Sequence, residues 1–156
     1  MRRKDREITD AARIDAIIRR CDCCRIGLVD AGRAYIVPLS FGYRREDGHA
    51  VFYFHSAREG RKVDLIRQSG AVSFELDTDH RLHPHALACA HSLHFQSVMG
   101  TGVISFVEEP GAKQAALEII MAQLTGRDGW TFDEGAVSAT AILRLVADEM
   151  TCKEHE

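Results

Sequence analysis

No apolar run in this sequence approaches the roughly 18 residues that a membrane-spanning helix needs. The N-terminus also lacks the apolar core of a secretory signal. Positive charge is not in excess: 20 Lys and Arg face 23 Asp and Glu, a formal net charge of −3. Nucleic-acid binding draws on a basic field that releases counterions, so neither nucleic acid nor membrane is expected as a partner. The opening Met1–Arg6 is basic but short, and reads as a solvated tail. No repeat of fixed period and no linker divides the chain, so residues 1–156 are expected to form one domain. The five cysteines are an odd number, which argues against a complete internal disulfide framework and for a reducing, cytoplasmic setting. No Ser-His-Asp or Cys-His arrangement stands out, and no glycine-rich dinucleotide loop is visible.

What is present is the balance of a globular protein: 156 residues, 46% hydrophobic and 28% charged. Residues 9–21 read as a helix, because Ile14, Ile17, Ile18 and Cys21 fall on one face of a 3.6-residue period, with Thr9 or Asp10 as cap. Cys24, Ile26 and Leu28 alternate with Arg25 and Gly27 as a strand. Tyr35, Val37, Leu39 and Phe41 share a face of the next, and Val51–His55 makes a third. Ser56 and Glu59 have the spacing of a capping box opening a helix over 57–68, with Gly70 past its end. Val72, Phe74 and Leu76 alternate in a fourth strand. The histidine-rich 79–92 reads as irregular, and His94–Val107 as a long strand bent or bulged at Gly100 and Gly102. Pro110 opens a helix with Leu117, Ile120, Met121 and Leu124 as its apolar stripe, stopped at Gly126. Ala139–Ala147 is a last strand before a charged tail. About six strands and three helices predict an α+β protein built on a small antiparallel barrel.

Three segments carry chemical interest. The first is Phe54–Asp64, where a strand passes into a helix. Arg58, Arg61 and Lys62 gather there, at the helix end whose dipole favours anions rather than cations. A bound phosphate accounts for that arrangement, and so does a solvated basic face. The second is Ile36–Phe41, where Pro38 cannot donate to a ladder. It marks an edge or bulge, whose neighbouring backbone groups can meet a ligand. The third is Phe95–Gly102, whose small residues fit either a ligand wall or a barrel corner.

In order and spacing, these segments resemble the pyridoxamine 5′-phosphate oxidase-like superfamily, and most closely its nitroimidazole-resistance, nitroreductase-like branch. The resemblance is carried by Arg2–Thr9, Cys24–Val29, Val37–Tyr43, Phe54–Lys62, Ser97–Gly100 and Lys153–His155, nearly the whole chain. It implies an FMN-binding split barrel that dimerises with FMN in clefts at the interface. It implies Val37, Pro38, Leu39 and Ser40 beside the flavin ring, and His55 and Ser56 near the ribityl chain and phosphate. Lys62, with Arg61 adjacent, is implied at the phosphate. Gln96 and Ser97 are implied on the cleft wall, from the partner subunit. The activity implied is reduction of a small electron-poor acceptor, nitroimidazole- or quinone-like, by an unidentified electron donor. The chain departs from the family at Cys152, where glycine is frequent. It also lacks the Arg/His ending of true pyridoxamine phosphate oxidases, so oxidation of vitamin B6 phosphate is not expected.

The alternative is a non-enzymatic module that binds flavin, haem or a metal. Cys21, Cys23 and Cys24 lie close together, and His80, His83, His85, Cys89, His91 and His94 follow in one stretch. These are zinc-ligand types, but Cys-x-Cys-Cys is not a zinc knuckle, and buried free cysteine is a common core residue. No metal ligand is assigned.

Overall fold

A computed structural model describes residues 3–155. Met1 and Arg2 of the basic N-terminal segment lie outside them, and Lys4–Arg6 form a single 3₁₀ turn. The elements run β1 (Glu7–Ile8), α1 (Ala11–Ile18), β2 (Cys24–Asp30), β3 (Arg33–Leu39), β4 (Gly42–Glu46), β5 (His49–Ser56), α2 (Arg61–Gln68), β6 (Ala71–His83), β7 (Ser92–Val107), α3 (Pro110–Thr125), α4 (Glu134–Ala139) and β8 (Ala141–His155). All pairings are antiparallel, in the order β3-β2-β6-β7-β8-β5-β4, with β1 on β8. The end strands β3 and β4 do not pair with each other, so the barrel is split there. The class is α+β, as expected, with eight strands rather than six and four α-helices rather than three among the described residues. Among the described residues no helix is long and apolar enough to cross a membrane.

Several boundaries differ from expectation, each for a physical reason. Asp10, not Thr9, caps α1 by accepting from the Arg13 N–H at 2.7 Å, and α1 stops at Ile18, short of Cys21. Ser56 does not cap α2. It belongs to β5, where its backbone pairs with Ala141, and the helix starts at Arg61 behind Gly60. Gly60 sits at φ +119°, a conformation that side-chain-bearing residues rarely adopt. Gly70 is not a left-handed helix stop: α2 ends at an extended Ser69, and the Gly70 carbonyl accepts from the Ile104 N–H at 2.7 Å. The segment 79–92 is irregular only in part: β6 runs on to His83 and β7 begins at Ser92, with a register shift between Thr78 and Arg81, while residues 84–91 lie outside the strands and hold one 3₁₀ turn at Ala88–Ala90. The final strand begins at Ala141 and runs to His155, so the charged tail is strand. On α3 the buried stripe is Ala116 and Ile120, flanked by half-buried Leu117 and Met121, while Leu124 is exposed. The glycine pair in β7 behaves as expected. Its ladder shifts register at Thr101/Gly102, and a Cβ would lie 2.4 Å from the Glu149 carbonyl at Gly100 and 2.2 Å from that of Val146 at Gly102.

The barrel interior is filled from every strand, the short β1 edge adding Ile8. Phe52 is its centre, with ring centroids 5.9 Å from Phe41, 5.2 Å from Tyr43 and 5.0 Å from Phe74, an aromatic cluster in tilted geometry. Ile17 and Ile18 of α1 and Leu65 and Ile66 of α2 join this core. A second, smaller core forms outside the barrel, where α3 covers Val51 and Tyr53 of β5 and Ile142 of β8. That double covering explains why β5 reads as an unbroken apolar run rather than an alternating one.

One polar network ties β4, β5 and β8 together. The Glu46 carboxylate accepts from the Tyr53 hydroxyl, from Arg144 at 2.6 Å and from Arg44 at 2.6 Å. Burial alone would raise this carboxyl, but the hydrogen bonds from Tyr53, Arg144 and Arg44 outweigh it and hold it down to about 2. A depressed folded-state pKa contributes stability that is complete above the unfolded value and is lost as pH falls toward the folded one. Glu46→Gln should therefore lower unfolding free energy at pH 7 by about 1–2 kcal/mol, allowing for screening. The difference from the parent should shrink as pH drops from the ordinary 4.5 toward 2. Urea unfolding at pH 7 and pH 3 checks this, and an equal loss at both would refute it.

Candidate functional site

Ten residues were expected at the site, and the chain gathers them into two groups. The first centres on β3 and α2. Val37, Pro38 and Leu39 lie on β3, which pairs only with β2, so its outer backbone edge has no ladder partner. Pro38 is exposed on that edge strand, as its missing N–H requires. Val37 and Leu39 are half-buried against the barrel core, and Ser40 is exposed just beyond the strand.

The α2 start is brought to the same strands. Arg61 forms an ion pair with Asp30 at the end of β2 and stacks over the Tyr35 ring, 4.6 Å from its centroid. Lys62 is half-buried, and burial lowers its pKa. Among the described residues it has no carboxylate partner. Because Gly60 offers no side chain, no side chain caps this helix end, and the first amide bonded inside the helix is that of Asp64, to the Gly60 carbonyl. The amides of Arg61, Lys62 and Val63 therefore precede the first intrahelical bond. His55 and Ser56 end the preceding strand, with His55 exposed and Ser56 buried.

The second group lies on β7. Gln96 faces inward and its carbonyl oxygen accepts from the Arg20 guanidinium. Ser97 sits between Asp77 of β6 and Lys153 of β8 in the ladder, and its hydroxyl is buried with no hydrogen-bond partner. A buried hydroxyl left unpaired costs free energy, so such an atom asks for an explanation. Strand β7 lies three places from β3, about 14 Å at the usual strand spacing. The two groups thus do not form one constellation along the sheet of a single chain.

Between them runs the outer sheet face of β2, β3, β6, β7 and the Glu149–Thr151 part of β8, which no helix covers among the described residues. It carries a concavity of about 600 Å³ walled by Ile36, Met99, Thr151, Arg25 and Glu75. Ile36 is 64% exposed, Met99 44% and Val103 51%, so the face presents apolar surface to solvent.

Four participants escaped the sequence reading. Asp30 and Tyr35 fix Arg61, Arg20 holds Gln96, and the Lys153 ammonium lies 5.1 Å from the Phe95 ring centroid. Only Lys153 had a local signal, as part of the C-terminal motif. The others depend on strand pairing across the sheet.

Several of the cysteines and histidines have structural roles, while Cys89 is exposed. The Cys21 thiol donates to the Ile17 carbonyl at 3.4 Å, and burial pushes it up to about 12. Cys24 and Cys152 are buried in the barrel core, and burial raises both thiols. His94 is buried with Nε2 2.9 Å from Asp79, and His80 lies 3.1 Å from Asp77. Among the described residues no three His, Cys, Asp or Glu side chains converge as metal ligands.

The family model described as pyridoxamine 5′-phosphate oxidase matches residues 10–154. A candidate 5-nitroimidazole antibiotic resistance protein from Bacteroides thetaiotaomicron superposes with a TM-score of 0.82 at 32% identity, covering 95% of this chain and 86% of that one. The flavocytochrome Anf3 from Azotobacter vinelandii gives 0.81 at 19% identity, covering 100% and 72%. The FAD- and haem-binding protein from Mycobacterium smegmatis gives 0.79 at 16% identity, covering 97% and 74%. The last two similarities establish the fold. A search of curated protein sequences found no match. With its model matched across almost the whole chain and its first-named relative about one-third identical, the chain belongs to the pyridoxamine 5′-phosphate oxidase family, in the nitroimidazole-resistance branch.

Proposed function

We propose that this protein binds FMN, as a cytoplasmic homodimer with flavin at the subunit interface, and reduces small electron-poor acceptors of the nitroimidazole or quinone type. The observation that carries the reading is the start of α2. An uncapped helix end and a half-buried, unpaired Lys62 stand together beside the edge strand β3. Outward amides, the helix dipole and an ammonium are the components of a phosphate site. FMN has one terminal phosphate and needs no dinucleotide loop, which suits a single cluster of this kind. The free outer edge of β3 around Val37–Ser40 suits the hydrogen-bonding rim of the flavin ring, and the unpaired Ser97 hydroxyl suits a ligand or second chain on the outer face.

The dimer follows from the separation of the two groups. A two-fold partner laid on the apolar sheet face brings its Gln96 and Ser97 group toward the first chain's β3 and α2. Two-fold dimers are the commonest homo-oligomers. Bound FMN supplies the electron transfer, and the protein's part is binding, orientation and exclusion of water. Lys62 and the α2 amides hold the phosphate, His55 and Ser56 lie along the ribityl chain, and Val37–Ser40 position the ring.

Lys62→Ala should weaken FMN binding about ten- to hundredfold, the size of one lost charge-assisted hydrogen bond, and leave riboflavin binding nearly unchanged. Fluorescence titration with both flavins measures this. Equal weakening of the two, or a colourless parent protein that takes up no FMN, refutes the reading. Light scattering should give twice the chain mass of 17.4 kDa, and a monomer carrying FMN would contradict the interface site. Chemically reduced, FMN-loaded protein should pass electrons to a nitroimidazole or a quinone within a stopped-flow trace. Transfer to neither acceptor would leave a binding protein without this activity.

A further inference from the structure

We propose that the cleft between α3 and α4 is a second ligand site, which takes a small organic monocarboxylate with an aromatic or apolar body. Its basis is Lys113. This side chain is only 8% exposed, and its ammonium donates to a single acceptor, the Val137 carbonyl at 3.3 Å. An ammonium has three donors, and a buried cation without a counter-charge is costly. Among the described residues no carboxylate pairs with it.

Lys113 opens onto a cavity of about 550 Å³, a volume ordinary for small-molecule sites. Arg58 lines the same cavity from the loop before α2. The neighbouring cation Arg67 is already committed, to Asp64 at 3.7 Å and to the face of Phe106. Among the acids, Glu109 uses both oxygens on the Gly111 and Ala112 amides as the α3 cap, so it is not free to neutralise Lys113. Glu108 and Glu134 also line the cavity, but both are exposed to solvent.

This charge pattern selects the ligand. One buried ammonium and one exposed guanidinium attract an anion, while the two solvent-exposed carboxylates oppose a second negative charge. Phe132, Pro110 and Val137 are the apolar part of a mixed lining, which a bare inorganic anion would leave unused. A single carboxylate on an aromatic ring satisfies both. The site is separate from the α2 start: Arg61 turns toward Asp30 and Tyr35, while Arg58 turns toward α3 and α4.

Benzoate titrated into the full-length protein, followed by amide NMR, tests the assignment. Saturable shifts should appear at Gly111, Ala112, Ala136 and Val137, with a dissociation constant on the order of 1 mM. The neutral isostere benzamide should give no saturable shift. Lys113→Met should abolish benzoate binding, and Arg58→Gln should weaken it about three- to tenfold. Arg58 is exposed, so Arg58→Gln decides the matter even if Lys113→Met fails to fold. Benzamide binding as tightly as benzoate, inorganic phosphate binding as tightly, shifts confined to the α2 start, or unchanged affinity in Arg58→Gln would each overturn the proposal.

Discussion

The pairing of β7 with β8 is the constraint on which the rest of the structure hangs. It runs from Phe95 opposite His155 to Val107 opposite Ile142, the longest ladder in the molecule. Such a ladder closes only if the two backbones approach closely at its bend, where a Cβ on Gly100 or Gly102 would collide with a β8 carbonyl. Those collisions are with backbone rather than with a flexible side-chain end, so they cannot be relieved by a rotamer change. Once β8 is fixed, its other edge receives β5, its far end receives β1, and β5 in turn carries β4. The α2 start is thereby placed as well, because Ser56, four residues before Gly60, is pinned opposite Ala141.

The helices divide the outer barrel surface unequally. Over β5 and β8, α3 buries Tyr53 and Ile142, so that part of the sheet is covered on both sides. Over β2, β3, β6 and β7 no helix among the described residues lies on the outer face, although Ile36, Met99 and Val103 stand there beside Arg25, Glu75 and Asp77. Arg25 bridges the two acids at 3.0 and 2.6 Å, which offsets one of their two negative charges within the patch. Apolar side chains with internally paired charges are the composition of a surface that can lose water cheaply.

The parts of the fold that alternate or carry a strong stop were legible in the sequence. Cys24, Ile26 and Leu28 are inward in β2 as their spacing implied, and α3 opens at Pro110 and stops at a left-handed Gly126. Strand β4 was not legible, because Gly42–Glu46 has one apolar residue, Tyr43, and draws its stability from Glu46 and from β5. The end of β8 was missed because Asp148 and Glu149 face solvent at an irregularity in the ladder, so a charged tail and a strand look alike. The capping box failed through competition: Ser56 has the right neighbour in Glu59, but its ladder position opposite Ala141 outweighs a local side-chain bond. At the candidate site, the segments were legible while their partners were not, since Asp30, Tyr35 and Arg20 reach their contacts only through tertiary structure.

The failure of the capping box bears directly on the charge at the α2 start. Had Ser56 and Glu59 capped the helix, two of its free amides and an anion would already be accounted for. Instead Gly60 leaves the amides open, and the two cations beside them differ in state. Arg61 is neutralised by Asp30 and held flat on Tyr35, so it contributes position more than charge. Lys62 remains, one unit of positive charge, half-desolvated, next to a helix end worth roughly another half unit. The sum is about +1.5, close in size to the −1.5 to −2 of a phosphate monoester near neutral pH. The half-buried placement of Lys62 is the feature on which the proposed phosphate site rests.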